Sequence, residues 1–92
     1  MIKSFRHKGL QRFFGTGSKA GIQAAHAGRL RLQLAALDQA TRVEDLSAPS
    51  WALHALKGEL KGHWAITVNG NWRMEFAFEG KDAVLVDYRD YH

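Results

Sequence analysis

Six side chains in this sequence have the types that cleavage of RNA without a metal requires. A general base must remove the proton of the ribose 2′-hydroxyl, and a general acid must protonate the departing 5′-oxygen. Cations must stabilise the extra negative charge of the transition state. Histidine titrates near neutral pH, and arginine donates paired hydrogen bonds to phosphate. The candidate residues are His54, Lys57, Arg73, Asp90, Tyr91 and His92.

The spacing of these residues alone is a weak signal, because scattered His, Lys and Arg occur in most small domains. A zinc site formed by His54, His63 and His92 is an alternative use of the histidines. It lacks a closely spaced ligand pair, and the chain contains no cysteine. We therefore expect neither a metal nor another cofactor.

The overall charge is compatible with a polyanionic partner. Thirteen Lys and Arg residues against nine Asp and Glu give a net charge of +4 and a pI near 9.8. A positive surface attracts RNA and DNA over several ångströms, although many small domains carry such a charge for solubility alone. Four basic residues near the N-terminus are expected to form either an RNA- or ribosome-binding patch or an ordinary solvated face: Arg6, Lys8, Arg12 and Lys19.

The length of 92 residues predicts a single domain over 1–92. A hydrophobic fraction of 46% with one proline favours a folded chain. The absence of cysteine suits a reducing compartment, and no apolar run approaches the ~20 residues that cross a bilayer. We therefore expect a soluble cytoplasmic protein that has no membrane partner.

The elements that must position the six residues divide the chain into a helical half and a stranded half. After a short first strand at Ile2–Phe5, the pattern predicts helices over His7–Phe14 and Gln23–Gln39, with Gln33 on the wetter side of the second. Core-facing positions of that helix recur at helical spacing: Ala27, Leu30, Leu34 and Leu37. The histidines of this half, His7 and His26, are expected to be surface or capping residues.

Strand signals begin at Gly62. Trp64, Ile66 and Val68 alternate with smaller or polar residues, and Asn69-Gly70 suits a tight hairpin. The next strand, 71–78, directs large apolar side chains to one side, which leaves Arg73 and Glu75 on the open face. A third strand covers 82–88, where Tyr88 shares the parity of Val84 and Val86, so we expect it in the core or at its edge. The large apolar side chains are Trp72, Met74, Phe76 and Phe78.

Together these elements predict an α+β fold in which two N-terminal helices pack on one face of a mainly antiparallel sheet. His54 and Lys57 would lie in a segment, Trp51–Lys57, at the sheet edge. The terminal residues would continue the last strand and could therefore be held in place.

Three segments together resemble one known family. Leu53–Gly58, Gly62–Phe76 and the final Asp90-Tyr91-His92 are similar to the HigB family of RelE-like toxins, also called plasmid-maintenance killer proteins, and so is the opening Met1–Phe5. The resemblance therefore covers essentially the whole chain. One departure is Ala55, where relatives are expected to carry proline.

The resemblance implies a RelE-like fold and a type II toxin that cleaves mRNA in the decoding (A) site of the 70S ribosome. It also implies inhibition by a HigA-type helix-turn-helix antitoxin, through which alone the toxin would contact operator DNA. The six candidate residues each match a position of the family's active-site motif. An inactive antitoxin-binding co-repressor and a basic RNA-binding module are the alternatives.

The expected roles follow the chemistry of each side chain. His54 and His92 would transfer protons, with Asp90 acting as base or orienting a histidine, so the identity of the base stays open. The nucleotide would be held by three further residues: Arg73 and Lys57 at the phosphate, and Tyr91 by hydrogen bonding or stacking.

Overall fold

The computed structural model describes residues 1–91, so the predicted site residue His92 lies outside the described residues. Two helices, α1 (Lys8–Thr16) and α2 (Ala27–Gln39), precede four strands: β1 (His54–Ala55), β2 (Trp64–Asn69), β3 (Trp72–Glu79) and β4 (Asp82–Asp90). The strands form one antiparallel sheet in the order β1-β2-β3-β4, which confirms the α+β prediction. No helix among residues 1–91 is long and apolar enough to cross a membrane.

Helix α1 begins and ends where its capping residues dictate. The Nδ1 atom of His7 accepts a hydrogen bond from the backbone N–H of Leu10 at 2.9 Å, which confirms a capping role for His7. Gly17 adopts φ 82° and ends the helix, because glycine enters the left-handed region without a steric penalty. The helix therefore extends two residues beyond the predicted Phe14.

Helix α2 begins at Ala27, after a 3₁₀ turn at Ala24–His26, rather than at Gln23. The predicted apolar stripe of this helix is buried throughout. The prediction for Gln33 is wrong: its side chain is fully buried, and its Nε2 donates to the Thr67 carbonyl at 2.8 Å. This hydrogen bond connects α2 to β2. The helical period of the sequence cannot reveal that Thr67 is the partner of Gln33.

One hydrophobic core contains residues from both helices and from the sheet. Leu10 of α1 and Leu34 of α2 lie in the same cluster as Ile66, Met74 and Phe76 of the sheet. The period-two alternation predicted for β2 and β3 is confirmed, because their apolar positions belong to this cluster or pack against it. The sheet therefore presents one face to the core and keeps the other for polar side chains.

The N-terminal segment does not form the predicted regular strand. It makes two isolated parallel bridges, Ile2 to Ala83 and Phe5 to Val86, on either side of a bulge in β4. At the bulge Leu85 adopts φ 56°, and its N–H bonds to the Ser4 hydroxyl at 2.9 Å rather than to a strand. The bulge breaks the edge that a continuous strand would need.

A buried aromatic cluster joins the loop before α2 to β4. His26 is buried, so the surface position expected for it is wrong; it stands at the N-cap position of α2, but its side chain makes no capping hydrogen bond. Tyr88 lies in the core as expected. The two are linked at 2.6 Å between Nδ1 of His26 and the Tyr88 hydroxyl, and the Trp72 ring contacts both. Burial raises the pKa of Tyr88 above its ordinary value, which keeps the phenol protonated at neutral pH.

We predict that Tyr88→Phe lowers the free energy of unfolding by about 1–3 kcal/mol, because it leaves a buried His26 nitrogen without a partner. Urea unfolding followed by tryptophan fluorescence measures the change. Tyr91→Phe is the matched control, since Tyr91 is exposed and outside the core. A Tyr88→Phe protein as stable as the parent would contradict the cluster's role.

A close backbone contact fixes the start of α1 against the following loop. A Cβ atom placed on Gly9 would lie 2.7 Å from the Gly21 Cα, and one on Gly21 would lie 2.6 Å from the Gly9 Cα. No other residue type fits at this contact without moving the backbone. In the same helix, Gly15 has no atom within 4 Å of such a Cβ.

We predict opposite effects of alanine at these two positions of α1. Gly9→Ala should destabilise the protein by about 1–3 kcal/mol through the backbone clash. Gly15→Ala should stabilise it by about 0.5–1 kcal/mol, since alanine restricts the unfolded chain and favours the helix. Thermal unfolding of both variants tests this, and equal shifts would show that the Gly9–Gly21 contact is not tight.

Candidate active site

The polar face of the sheet collects residues from four strands through their register. His54 pairs with Ala65, Ala65 with Glu75, and Glu75 with Asp87, so these four residues form one row. Residues directly opposite one another in adjacent strands share a face. The sheet therefore brings His54 and Glu75 to the same side, although 20 residues separate them in sequence.

The neighbouring row contains two arginines. Thr67 pairs with Arg73, and Arg73 pairs with Arg89 on β4. Like charges directly opposite one another destabilise a sheet, so the pair requires a counter-charge. The nearest carboxylate is that of Glu75, two residues beyond Arg73 on the same face.

Glu75 supplies the counter-charge to both arginines. Its side chain is 2% exposed, with one oxygen accepting from Arg73 Nε at 2.6 Å and the other 3.6 Å from Arg89 Nη1. Arg73 and Glu75 lie on the sheet face opposite the core, as predicted, but that face is not open at these positions, since the Arg73 side chain is only 12% exposed. The ion pairs compensate the cost of burying these charges. Sequence reasoning missed this role of Glu75; the i, i+2 spacing from Arg73 was the available signal.

Arg73 also stacks on the ring of Tyr91. The guanidinium carbon lies 3.9 Å from the ring centroid, within the range of a cation–π interaction. The backbone N–H of Tyr91 donates to the Asn71 carbonyl at 2.7 Å, which fixes the chain just beyond β4. Tyr91 nevertheless stays 58% exposed, so its ring can also contact a ligand.

The orientation of His54 is set by its own backbone segment. Nδ1 lies 2.9 Å from the Ala52 carbonyl, and a carbonyl can only accept, so Nδ1 carries a proton. The neutral ring then has Nε2 unprotonated and able to take up a proton. Ala52 adopts φ 50°, a left-handed conformation that is unusual for a residue with a Cβ. His54 itself lies at the exposed edge strand, as predicted for this segment.

Four of the predicted site residues line one cleft of about 340 Å³: His54, Lys57, Arg73 and Tyr91. Apolar walls are supplied by Ala55, Leu56 and Leu60. A smaller adjoining hollow is also lined by His54, Arg73 and Tyr91, together with residues of the β2–β3 turn. The cleft thus combines one proton-transferring group, two cations and one aromatic ring.

The other predicted residues lie elsewhere or outside the described part. Asp90 pairs with Trp72, the position before Arg73, so alternation places it on the other face of the strand, and it lines neither hollow. Lys8, Arg12 and Lys19 are exposed on or near α1. Arg6 lines a separate cavity together with Lys57.

The described residues, 1–91, form no recognisable metal site. Across positions 1–91, the structure has no group of three or more His, Cys, Asp and Glu residues that could hold an ion. His63 is only half-buried and follows the turn that contains Lys57.

Comparison with known proteins identifies the family of this chain. The family model for the RelE-like toxin HigB of type II toxin-antitoxin systems matches residues 3–92. The chain is also 45% identical to a protein named Endoribonuclease HigB from Proteus vulgaris, over 92 residues that cover all of both chains. The chain therefore belongs to the HigB-like toxins, the RelE-like toxins of type II toxin-antitoxin systems.

Proposed function

We propose that this chain is an endoribonuclease that cleaves mRNA on the ribosome, in the decoding site, and so inhibits translation. The observation that carries this proposal is the cleft in which His54 faces Arg73, Lys57 and Tyr91. A protein that only bound an antitoxin would not require a histidine beside two cations and an aromatic ring. The name of the Proteus vulgaris relative supports the same activity.

The reaction begins with attack of a ribose 2′-hydroxyl on the adjacent phosphorus. In its neutral form, His54 can accept the hydroxyl proton at Nε2, because Nδ1 is bonded to Ala52. The P–O5′ bond then breaks, and a second group must protonate the leaving oxygen. We assign that group to His92 in the terminal segment, with Asp90 either orienting a histidine or taking the base role in place of His54.

The two cations stabilise the pentavalent phosphorus centre. Arg73 uses Nε for Glu75, and its terminal nitrogens carry the other N–H donors of the planar fork, which suits two phosphate oxygens. Lys57 is exposed at the opposite side of the cleft and adds a mobile positive charge. Tyr91 orients the nucleotide by stacking a base on its exposed ring.

The two faces of the sheet have different proposed roles. We propose that both helices cover one face, which is supported by the shared core of Leu10, Leu34 and Met74. The opposite face, with Arg73 and His54, then serves the substrate. A HigA-type helix-turn-helix antitoxin is the proposed inhibitor, and operator DNA is contacted only through it. The proposed RNA- or ribosome-binding residues are Arg6, Lys8, Arg12 and Lys19.

We predict that His54→Gln and Arg73→Gln each reduce mRNA cleavage at least about 100-fold, because each removes a group that acts in the transition state. The measurement maps the 5′ ends of translated and untranslated messages in a reconstituted translation system. Arg29→Gln, an exposed change on α2, is the control and should cleave normally. A zinc-selective chelator, added at a Mg²⁺ concentration that keeps the ribosomes intact, should leave the wild-type rate unchanged.

Four results would contradict parts of the proposal. Equal cleavage of translated and untranslated messages would remove the ribosome dependence. Full activity of His54→Gln would remove His54 from the mechanism, and full activity of His92→Gln would do the same for His92. Absence of cleavage by the wild-type chain would favour the inactive antitoxin-binding module.

Glu75 is a positioning residue in this scheme, since it holds Arg73 without facing the cleft. We predict that Glu75→Gln lowers kcat about tenfold with a smaller change in KM, because a neutral amide holds the guanidinium less firmly. Single-turnover cleavage separates the two parameters. Glu79→Gln, at the exposed end of β3, is the matched control. A Glu75→Gln protein with the wild-type kcat would show that Arg73 does not depend on this pair.

A further inference from the structure

A second cationic cavity adjoins the candidate active site and has no part in the chemistry described so far. Its volume is about 550 Å³, larger than that of the cleft beside His54. The lining residues are Arg6, Lys57, Glu59, Leu60 and Arg89. Three cationic side chains face one carboxylate, so the lining carries a net positive charge, as expected of a site for an anion.

The two arginines reach this cavity from anchored parts of the fold. The backbone N–H of Arg6 donates to the Val86 carbonyl at 2.8 Å, which holds the N-terminal segment against β4. Arg89 projects from β4 with its Nη1 atom 3.6 Å from buried Glu75, while half of its side chain stays exposed. Glu75 therefore positions the Arg89 guanidinium, β4 anchors the backbone of Arg6, and both side chains are accessible.

The cavity is continuous with the cleft that contains His54. Lys57 and Leu60 line both, so these two residues form the boundary between them. Arg89 and Arg73 are direct neighbours across β3 and β4, one serving each side. We consider a single strand of RNA whose scissile phosphate lies against Arg73. Its neighbouring phosphates lie on the 5′ and the 3′ side of Arg73, and one of these two sides is the side of the second cavity.

We propose that Arg6 and Arg89 bind the phosphodiester that adjoins the scissile linkage, with Lys57 lying between the two phosphates. This subsite rests on the proposed function, because it uses the same RNA strand. It would fix the register of the message in the cleft, since two phosphates held at a set separation leave one ribose facing His54. An acidic protein segment is the competing occupant. Unlike the RNA strand, it has no phosphate fixed at a set distance from the scissile phosphate.

The test uses ribosomes programmed with a message that cannot be cleaved, because the attacking 2′-hydroxyl is methylated. Two further versions carry an uncharged methylphosphonate at the linkage on the 5′ or the 3′ side of the scissile one. The dissociation constants of the wild-type chain and of Arg89→Gln are measured on each message. Arg6→Gln provides a variant that leaves Glu75 and its partners intact, and Arg29→Gln is the matched control.

On the unmodified linkage, we expect Arg89→Gln and Arg6→Gln each to weaken binding about tenfold, as for the loss of one charge-assisted hydrogen bond. The wild-type chain should lose a similar factor when one of the two neighbouring linkages becomes uncharged. On that same message the two variants should bind as well as the wild-type chain. Arg29→Gln should match the wild-type chain throughout.

The proposal is overturned if each variant loses the same factor on charged and uncharged linkages, because the arginines then contact the ribosome or another protein surface. It is also overturned if neither variant changes the dissociation constant, or if the wild-type chain does not bind the programmed ribosome. Cleavage is measured separately on the matched message with a free 2′-hydroxyl. If the variants bind the programmed ribosome as expected but the wild-type chain cleaves no message, the proposed function is contradicted and the proposed subsite is not.

Discussion

The ion pairs of Glu75 are the interaction on which the polar face of the sheet depends. Arg73 and Arg89 lie directly opposite each other, and without a shared carboxylate their charges would repel across the ladder. A buried carboxylate is tolerable only where cations and hydrogen bonds compensate its lost hydration. The two ion pairs therefore offset both the cost of burying Glu75 and the repulsion between the arginines. The result is two guanidinium groups fixed side by side, one facing each cavity.

The bulge at Leu85 makes this arrangement possible. Ala83 faces the core, and strict alternation from there would send Leu85, Asp87 and Arg89 inward as well. Two residues of β4 oppose the single Phe76 between the paired positions Ala77–Val84 and Glu75–Asp87. The extra residue reverses the parity, so that residues beyond the bulge present Arg89 to the polar face and Tyr88 to the core.

Periodicity predicted those parts of the fold that depend on local sequence. The β2–β3 hairpin, the core stripe of α2 and the alternation in β2 and β3 follow from spacing alone. The loop of the hairpin is Gly70-Asn71, one residue later than the predicted Asn69-Gly70. The placing of His54 at the edge strand was also predictable. Gln33 and His26 were misplaced because each is buried against a partner distant in sequence, Thr67 and Tyr88 respectively. The burial of Glu75 was missed although one of its partners, Arg73, is only two residues away. The bulge in β4 was missed, because nothing in the sequence marks Leu85 for a positive φ. Val84 therefore lies on the opposite face from Val86 and Tyr88, although strict alternation predicted one face for all three.

The Ala52 carbonyl can hold the His54 ring at both stages of the proposed proton transfer. A neutral ring must hold its single proton on Nδ1 to satisfy the Ala52 carbonyl, which leaves Nε2 as the acceptor. An imidazolium donates from both nitrogens, so the same bond survives when Nε2 gains a proton. The ring can therefore change charge without losing its anchor. The left-handed Ala52 directs that carbonyl, and this explains why an unfavourable backbone conformation is compatible with the candidate site.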